Sequence, residues 1–275
     1  YGVVKMAKTR DHVENRDVMK DDFGWEVPTE LVPLPTRGLI YDPESSLYNR
    51  ESLKIKAMTA KEEDILSSQA LLKEGTVLDH LLKSCLTDGD IDPTDMMMGD
   101  RNALMVAIRI TGYGPEYNVE ANCQKCGELN KVPIMLDHLP IKRLDIEPAE
   151  PGANKFEFKL PVTKKSVIFK YGTQRDRRDY AEREKNLKKH LTGKIENNVT
   201  SNLEMSIVSI DGITDKNKIR HFVMNMPAFD SKALRNFIND HEPGIDMAWN
   251  YNCSKCNHDN KIAMPMTAEF FWPST

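Results

Sequence analysis

Two C-x-x-C pairs constrain this chain more than any other feature of its sequence. The first pair is Cys123 with Cys126, and the second is Cys253 with Cys256. Two cysteines three positions apart can direct both sulfurs to one point, and two such pairs supply the four thiolates of a tetrahedral zinc site. We therefore expect one structural zinc ion, bound by these four cysteines, to join two segments that lie far apart in the sequence.

The residues around the two pairs resemble each other. An asparagine precedes each first cysteine, a lysine lies inside each pair, and an Asn-Lys dipeptide follows at 130–131 and at 260–261. Apolar residues flank both blocks, which is typical of a strand, a tight turn and a second strand. Gly127 and Asn257, directly after each pair, are residue types that tolerate the positive φ of such a turn. The sequence thus predicts two similar knuckles.

Other interpretations of the cysteines are open at this point. Each pair could be a redox dithiol, although such pairs normally begin a helix rather than lie between strands. His258 could replace one cysteine as a ligand, although the corresponding residue, Glu128, is of a different type. The cysteines could also simply be buried thiols, but chance does not explain two matching pairs.

A nucleic-acid-binding module is the main rival interpretation, because zinc knuckles also occur in proteins that bind single strands. Basic and aromatic residues lie near the pairs: Lys125, Lys255, Lys261, Trp249 and Tyr251. The net charge of -4 and the pI near 6.0 oppose this interpretation, since general attraction to phosphates needs a basic protein. We expect that nucleic acid is not the partner.

The composition predicts a water-soluble, intracellular protein. The 275 residues can bury a substantial core without help from a metal. No apolar run approaches the ~20 residues of a membrane helix. The chain starts at Tyr1 with no pattern of an export signal. The fifth cysteine, Cys85, makes an odd total, which argues against a disulfide framework, and its apolar setting predicts a buried inert thiol.

The first part of the chain, residues 1–50, has the sequence of an extended arm. Four prolines, at 28, 33, 35 and 43, each remove a backbone donor and disfavour helix in the residue before them. Such a segment cannot form its own core. We expect it either to stay mobile or to become ordered by lying on a neighbour.

Residues 51–136 combine helices with the first knuckle. Apolar and charged residues alternate at 53–57, which predicts a half-buried strand, and Thr59 with Glu62 predicts a capping box at the start of a helix. A second helix is predicted over 77–86. A third is predicted to have Asp100 as its N-cap and to end at the Gly-Tyr-Gly that follows.

Residues 137–245 are predicted to form an inserted subdomain. Two alternating runs, at 156–160 and 166–171, predict a β-hairpin. Helices are predicted at 175–190, at 203–210 and from Asp230 to the Pro-Gly that follows it. The charged run of the first of these helices holds seven basic and four acidic residues, which is typical of a solvated face.

Residues 246–275 carry the second knuckle and a tail whose Phe-Phe-Trp sequence, at 270–272, we expect to dock on neighbouring proteins. The predicted fold class is therefore α+β. A helical N-terminal part is joined to a split four-cysteine, zinc-ribbon-like unit, with a hairpin-plus-helices subdomain inserted between its halves.

Short motifs follow one another along the chain in a characteristic order. In the first half of the chain they are PLPTRG (33–38), the capped helix start (59–63), RNAL (101–104), YG (113–114) and the first knuckle. Later they are LPVT (160–163), IDG (210–212), PGID (243–246) and FFWP (270–273). In this order they resemble the T-even-type bacteriophage baseplate hub family, over roughly residues 30–275.

The resemblance implies a structural, non-enzymatic component of a contractile phage tail, placed in the hub region of the baseplate. Its partners would be other baseplate and tail proteins, not a membrane, a nucleic acid or a small-molecule substrate. It would be located in the virion tail after assembly in the host cytoplasm. An assembly chaperone of the hub, absent from the finished particle, is the alternative. Consistent with a structural role, no Ser/His/Asp set or phosphate-binding glycine loop is recognisable.

Overall fold

The computed structural model describes residues 4–5, 18–20, 26–188 and 198–272. Its helices are α1 (Ala60–Ser67), α2 (Gln69–Glu74), α3 (Val77–Cys85), α4 (Met98–Tyr113), α5 (Gln174–Lys188), α6 (Asn198–Ser206), α7 (Lys216–Met224) and α8 (Ala228–His241). Its strands are β1 (Val4–Lys5), β2 (Val18–Lys20), β3 (Glu26–Pro33), β4 (Ser52–Lys56), β5 (Glu116–Asn122), β6 (Leu129–Met135), β7 (Pro140–Lys142), β8 (Phe156–Lys159), β9 (Ser166–Phe169), β10 (Ile207–Ile210), β11 (Gly244–Ile245), β12 (Ala248–Asn252) and β13 (Asp259–Ala263). This mixture of helices and small sheets confirms the predicted combination of both element types.

The strands form small antiparallel sheets. β3 is the central strand of β2-β3-β4, β7 is central in β1-β7-β11, and β9 is central in β10-β9-β8. β5 with β6 and β12 with β13 form two separate hairpins. Buried apolar side chains from the sheets and helices form one continuous core. None of the described helices is long and apolar enough to cross a lipid bilayer.

Residues 26–50, the described end of the predicted arm, contribute to the chain's own core. Thr29–Pro33 of β3 pair with β4, and the side chains of Leu34, Ile40 and Leu47 are buried. This range therefore differs from an arm that lies on a neighbour, because its own apolar residues find partners within the chain. Apart from β1 and β2, residues 1–25 of the predicted arm lie outside the described residues.

The start of α1 has the predicted capping box, and β4 confirms the predicted strand. The Glu62 carboxylate accepts hydrogen bonds from the Thr59 N–H (2.8 Å) and hydroxyl (2.6 Å). It also accepts from the Ser84 hydroxyl of α3 (2.6 Å) and from Lys56 Nζ of β4 (2.9 Å). Burial raises the pKa of Glu62, but these hydrogen bonds outweigh it and lower the pKa to about 2. One buried carboxylate thus links a strand and two helices.

Asp100 connects the N-terminal turns to α4. Its buried carboxylate accepts hydrogen bonds from the Thr36 N–H (2.9 Å), the Thr36 hydroxyl (2.5 Å) and the Tyr41 hydroxyl (2.8 Å). Burial raises the pKa of Asp100 in spite of these three donors. The prediction that Asp100 is the N-cap of this helix is wrong, since α4 begins at Met98 and the carboxylate binds residues far away in the sequence. Its predicted end is confirmed.

The inserted hairpin is confirmed, but the element that follows α6 is not a helix. β8 pairs with β9 as predicted. The predicted helix at 203–210 is wrong in its second half, where Ile207–Ile210 forms β10 and pairs with β9. Three of these four residues are β-branched and apolar, and β9 offers them a free edge. The helix α7, which the sequence-based prediction omits, begins at Lys216. Its N-cap is Asp215, whose carboxylate accepts a hydrogen bond from the Lys218 N–H at 2.9 Å.

The helix predicted to start near Asp230 is α8, which begins two positions earlier, at Ala228, with Pro227 as its N-cap. The Asp230 carboxylate accepts hydrogen bonds from the Val162 N–H (2.7 Å) and the Thr163 N–H (3.0 Å) in the turn between β8 and β9. It therefore attaches the start of α8 to this turn.

The charged helix α5, predicted at 175–190, is more than a solvated face. Arg178 forms an ion pair with Asp79 of α3, and Arg175 forms one with Asp95 in the acidic loop before α4. The first turns of α5 are therefore attached to the helical region by charge. The last two predicted positions lie outside the described residues.

The two ends of the inserted segment meet in one sheet. β7 and β11 are antiparallel neighbours, with Ile141 opposite Ile245. The first turn of α4 packs directly on the chain before β11. A Cβ atom added at Gly99 would lie 1.8 Å from the Pro243 carbonyl oxygen, so this backbone approach requires glycine.

The C-terminal tail differs from the predicted docking segment. Phe270 and Phe271 are fully buried in the chain's own core, and the Phe270 ring lies 5.1 Å from the Tyr117 ring of β5, centroid to centroid. Of the three aromatic residues at 270–272, only Trp272 retains substantial exposure, at 38%. The two phenylalanines therefore hold the tail against the first hairpin and are not available to another protein.

We predict that Gly99→Ala destabilises the protein. Where space is free, alanine in place of a helical glycine stabilises by up to about 1 kcal/mol. Here the new methyl group overlaps the Pro243 carbonyl, and overpacking costs about 1–3 kcal/mol. Urea denaturation should therefore give a lower free energy of unfolding for Gly99→Ala and little change for Gly89→Ala, where nothing lies within 4 Å of an added Cβ. A Gly99→Ala protein as stable as the wild type would contradict this close packing.

We predict a pH-dependent effect of Glu62→Gln. Because the pKa of Glu62 is lowered from 4.5 to about 2, its ionised form stabilises the folded state above pH 4.5, and this contribution is lost as the pH falls toward 2. The shift corresponds to roughly 3 kcal/mol.

The free energy of unfolding should therefore be lower for Glu62→Gln than for the wild type at pH 7, by a few kcal/mol, and the difference should shrink by pH 3. Glu74→Gln, at an exposed position of α2, is the control and should match the wild type throughout. A Glu62→Gln difference that stays constant with pH would refute the assignment.

Candidate metal centre

Two β-hairpins carry the four cysteines. β5 and β6 pair up to Asn122 opposite Leu129, and β12 and β13 pair up to Asn252 opposite Asp259. The residues between the paired strands form tight turns that contain the C-x-x-C pairs. Both predicted units of strand, turn and strand are present.

The same backbone hydrogen bonds close both turns. The N–H of the first cysteine donates to the carbonyl five positions later, at 2.8 Å for Cys123 and 2.9 Å for Cys253. The N–H of Gly127 and that of Asn257 each donate back to the first cysteine's carbonyl at 2.9 Å. Both residues have positive φ, at 75° and 53°, as the sequence predicts. This curl brings both sulfurs of a pair to the same side.

The four sulfurs have the spacing of a tetrahedral metal site. All four Sγ atoms lie within 4.8 Å of one another. The Sγ atoms of Cys123 and Cys256 are 3.7 Å apart, and those of Cys126 and Cys253 are 3.6 Å apart. Sulfurs bound to one zinc ion at ~2.3 Å are ~3.8 Å apart, whereas a disulfide needs ~2.05 Å. These four cysteines can therefore hold a metal ion, and they form what we call the four-cysteine cluster.

Two buried asparagines cross from each hairpin to the other. Asn130 Nδ2 lies 3.7 Å from the Sγ of Cys253, and Asn260 Nδ2 lies 3.6 Å from the Sγ of Cys123. Each asparagine Oδ1 accepts a hydrogen bond from the N–H of the residue after that same cysteine, at 2.9 Å and 3.0 Å. Each side chain thus orients a sulfur and its turn on the opposite hairpin, which is the usual role of groups just outside a metal's ligands.

The sequence does not by itself assign these asparagines a role. The available signal is their recurrence at the seventh position after Cys123 and after Cys253. Only the crossed arrangement of the two hairpins shows that each asparagine serves the opposite pair.

The thiols of the cluster differ in pKa because they differ in hydrogen bonding. Desolvation raises the pKa of the Cys123 thiol, but hydrogen bonds from backbone N–H groups and Asn260 outweigh it and lower the pKa to about 6. Backbone N–H groups of its own turn lower the pKa of Cys253 in the same way. One backbone hydrogen bond lowers the pKa of Cys126, but desolvation and the three neighbouring sulfurs raise it to about 12. Outside the cluster, Cys85 is a buried thiol whose pKa desolvation raises to about 12, as expected of an inert cysteine.

The geometry disfavours the other interpretations of the cysteines. Neither pair begins a helix, which is the usual place of a redox dithiol. The side chain of His258 is not part of the cluster. Of the residues named for nucleic-acid contact, Tyr251 is buried, and Lys255 Nζ donates to Glu128 Oε2 at 3.0 Å. Among the side chains that the structure describes, in 27–183 and 199–272, no other group of His, Cys, Asp and Glu is arranged to hold a metal ion.

One protein family matches most of the chain. The model of the family described as T4 bacteriophage base plate protein matches residues 42–272. No curated protein and no solved structure matches the chain significantly. The matched range includes both hairpins, the helical region and the inserted segment between them.

We predict that Asn130→Ala and Asn260→Ala each lower the affinity of the four-cysteine cluster for Zn²⁺ by about 10- to 100-fold. Each change removes a donor to a sulfur and the acceptor that holds the opposite turn. Competition with a coloured chelator on the full chain measures the affinity. Asn122→Ala is the control, because this asparagine also recurs in both hairpins but is exposed. Equal losses for Asn122→Ala and Asn130→Ala would exclude a specific positioning role.

Proposed function

Because the chain belongs to the T4 bacteriophage base plate protein family, we propose that it is a structural component of the hub region of a contractile-tail baseplate. Membership of the family implies a location in the phage tail and contacts with other tail proteins. The four-cysteine cluster supports a structural role, since four protein ligands fill a tetrahedral site and leave no position for a substrate.

The metal that we infer is a single zinc ion bound by Cys123, Cys126, Cys253 and Cys256. Four thiolates in a tetrahedral arrangement favour zinc over the harder divalent cations, which prefer oxygen ligands. The sulfur-to-sulfur distances of 3.6 and 3.7 Å support this choice. Such an ion contributes on the order of 10 kcal/mol to folding. Its role would be to join two hairpins whose cysteines lie as much as 133 positions apart in the chain.

We infer that the protein makes protein-protein contacts and has no catalytic activity of its own. It would be assembled in the host cytoplasm and retained in the virion tail. A hub assembly chaperone that leaves before the particle is finished would use the same zinc-stabilised frame. The two versions differ in whether the protein remains in the completed baseplate.

We predict one zinc ion per chain in the purified protein, measured by elemental analysis. Cys126→Ser, at the exposed member of the cluster, should lose the zinc and unfold at a lower temperature. Cys85→Ala, at the cysteine outside the cluster, should retain one zinc per chain. Chelation should lower the unfolding temperature of the wild type and of Cys85→Ala. A wild-type protein without zinc, or a Cys126→Ser protein that keeps a full equivalent, would reject the proposed site.

We predict that intact virions contain the protein at a fixed number of copies per tail. Quantitative mass spectrometry of purified tails measures this number. Deletion of the gene should leave no complete baseplates. A protein that is needed for baseplate formation but absent from purified tails would reject the structural component and favour the chaperone.

A further inference from the structure

Three connections meet at one end of the sheet β10-β9-β8. The turn between β8 and β9 lies in the middle. On one side, the Asp211 carboxylate after β10 accepts hydrogen bonds from the Ser166 N–H (2.8 Å) and from Lys165 Nζ (2.6 Å). On the other side, Asp230 at the start of α8 accepts from the Val162 N–H (2.7 Å). These bonds hold the ends of β10 and α8 against the turn.

Exposed apolar side chains are concentrated in these connections. The exposed fractions are 65% for Phe229, 53% for Val162 and 48% for Ile213. Phe229 directly precedes Asp230, which binds Val162, while Ile213 lies two positions after Asp211 on the other side of the turn. We call these three side chains the hairpin-tip surface. Single exposed apolar residues are ordinary, but a group of them around converging loops marks an interaction surface.

The charge that this end offers to a partner is positive. The chain at this end carries five lysines, at 159, 164, 165, 216 and 218, against four carboxylates, at 157, 211, 215 and the buried 230. Lys165 forms an ion pair with Asp211, and the charge of Lys164 acts on the Asp230 carboxylate. Lys159 is exposed, and among the described residues no carboxylate forms an ion pair with it. The hairpin-tip surface is therefore apolar with a basic rim.

We propose that the hairpin-tip surface docks on an apolar and acidic surface of a neighbouring baseplate protein. This inference rests on the proposed function, because only an assembly supplies such a neighbour. The buried apolar area would provide affinity, and the excess of lysines over carboxylates would select an acidic rim. A second copy of this chain fits less well, since a symmetric contact between two tips would place like charges opposite each other.

The test uses phage that carry Phe229→Ser in place of the wild-type gene. Loss of an aromatic anchor at an interface weakens association by about tenfold or more. The yield of complete baseplates, counted by electron microscopy and by titre, should fall by about the same factor. Phe229→Leu retains an apolar side chain and should recover most of the yield. Leu72→Ser, at an exposed apolar position of α2, is the matched control and should behave as the wild type.

A second variant tests the charge and guards against misfolding. Lys159→Glu leaves the apolar side chains in place and should also lower the yield. Both tip variants should keep the zinc content and the unfolding temperature of the wild-type protein. Should Phe229→Ser prove unstable, Lys159→Glu with a wild-type unfolding temperature decides the question.

The outcomes separate this inference from the proposed function. If deletion of the gene leaves baseplates intact, the proposed function fails. If deletion abolishes baseplates but Phe229→Ser and Lys159→Glu give wild-type yields, only the docking surface is rejected. Sedimentation of the purified chain tests whether a second copy of the chain occupies this surface instead. Self-association that both tip variants abolish would show such a copy and overturn the proposed partner.

Discussion

The convergence of four cysteine sulfurs is the constraint on which the rest of the structure is arranged. A two-stranded hairpin is at best marginally stable in water by itself, and here each hairpin completes the other. Asn130 reaches Cys253 and Asn260 reaches Cys123, so neither pair of thiols has its full set of donors until both hairpins are in place. The cluster can therefore form only after the intervening chain has brought its second half back to the first.

Buried carboxylates join the elements of the helical region, as the four cysteines bring the two hairpins together. Glu62 links β4, α1 and α3, Asp100 links the N-terminal turns to α4, and Asp79 of α3 pairs with arginines of α4 and α5. Because a buried carboxylate is costly unless several donors surround it, each of these groups admits few alternative arrangements of its neighbours. Specific packing of the helices follows from a small number of polar contacts within an apolar core.

The sequence predicted the elements whose conformation depends on residues close by in the chain. β4, the capping box at Thr59, the hairpin β8–β9 and both knuckles follow from patterns a few residues long. Asp100 matched the short pattern of a helix cap, yet its carboxylate binds Thr36, 64 positions away. The contact between Asp230 and Val162, 68 positions apart, has no signal in the sequence. β10 was missed because its strand conformation depends on the free edge of β9. The family match over residues 42–272 agrees with the order of motifs, which no single motif could establish.

The pairing of Ile141 with Ile245 has a consequence for how such a protein can change over evolutionary time. The chain between these positions leaves and re-enters the molecule at one point. Insertions, deletions or wholesale replacement of that segment leave the spacing of the two cysteine hairpins unaltered. A lineage can therefore adapt the segment between these positions to new neighbours while the two hairpins of the four-cysteine cluster keep their arrangement.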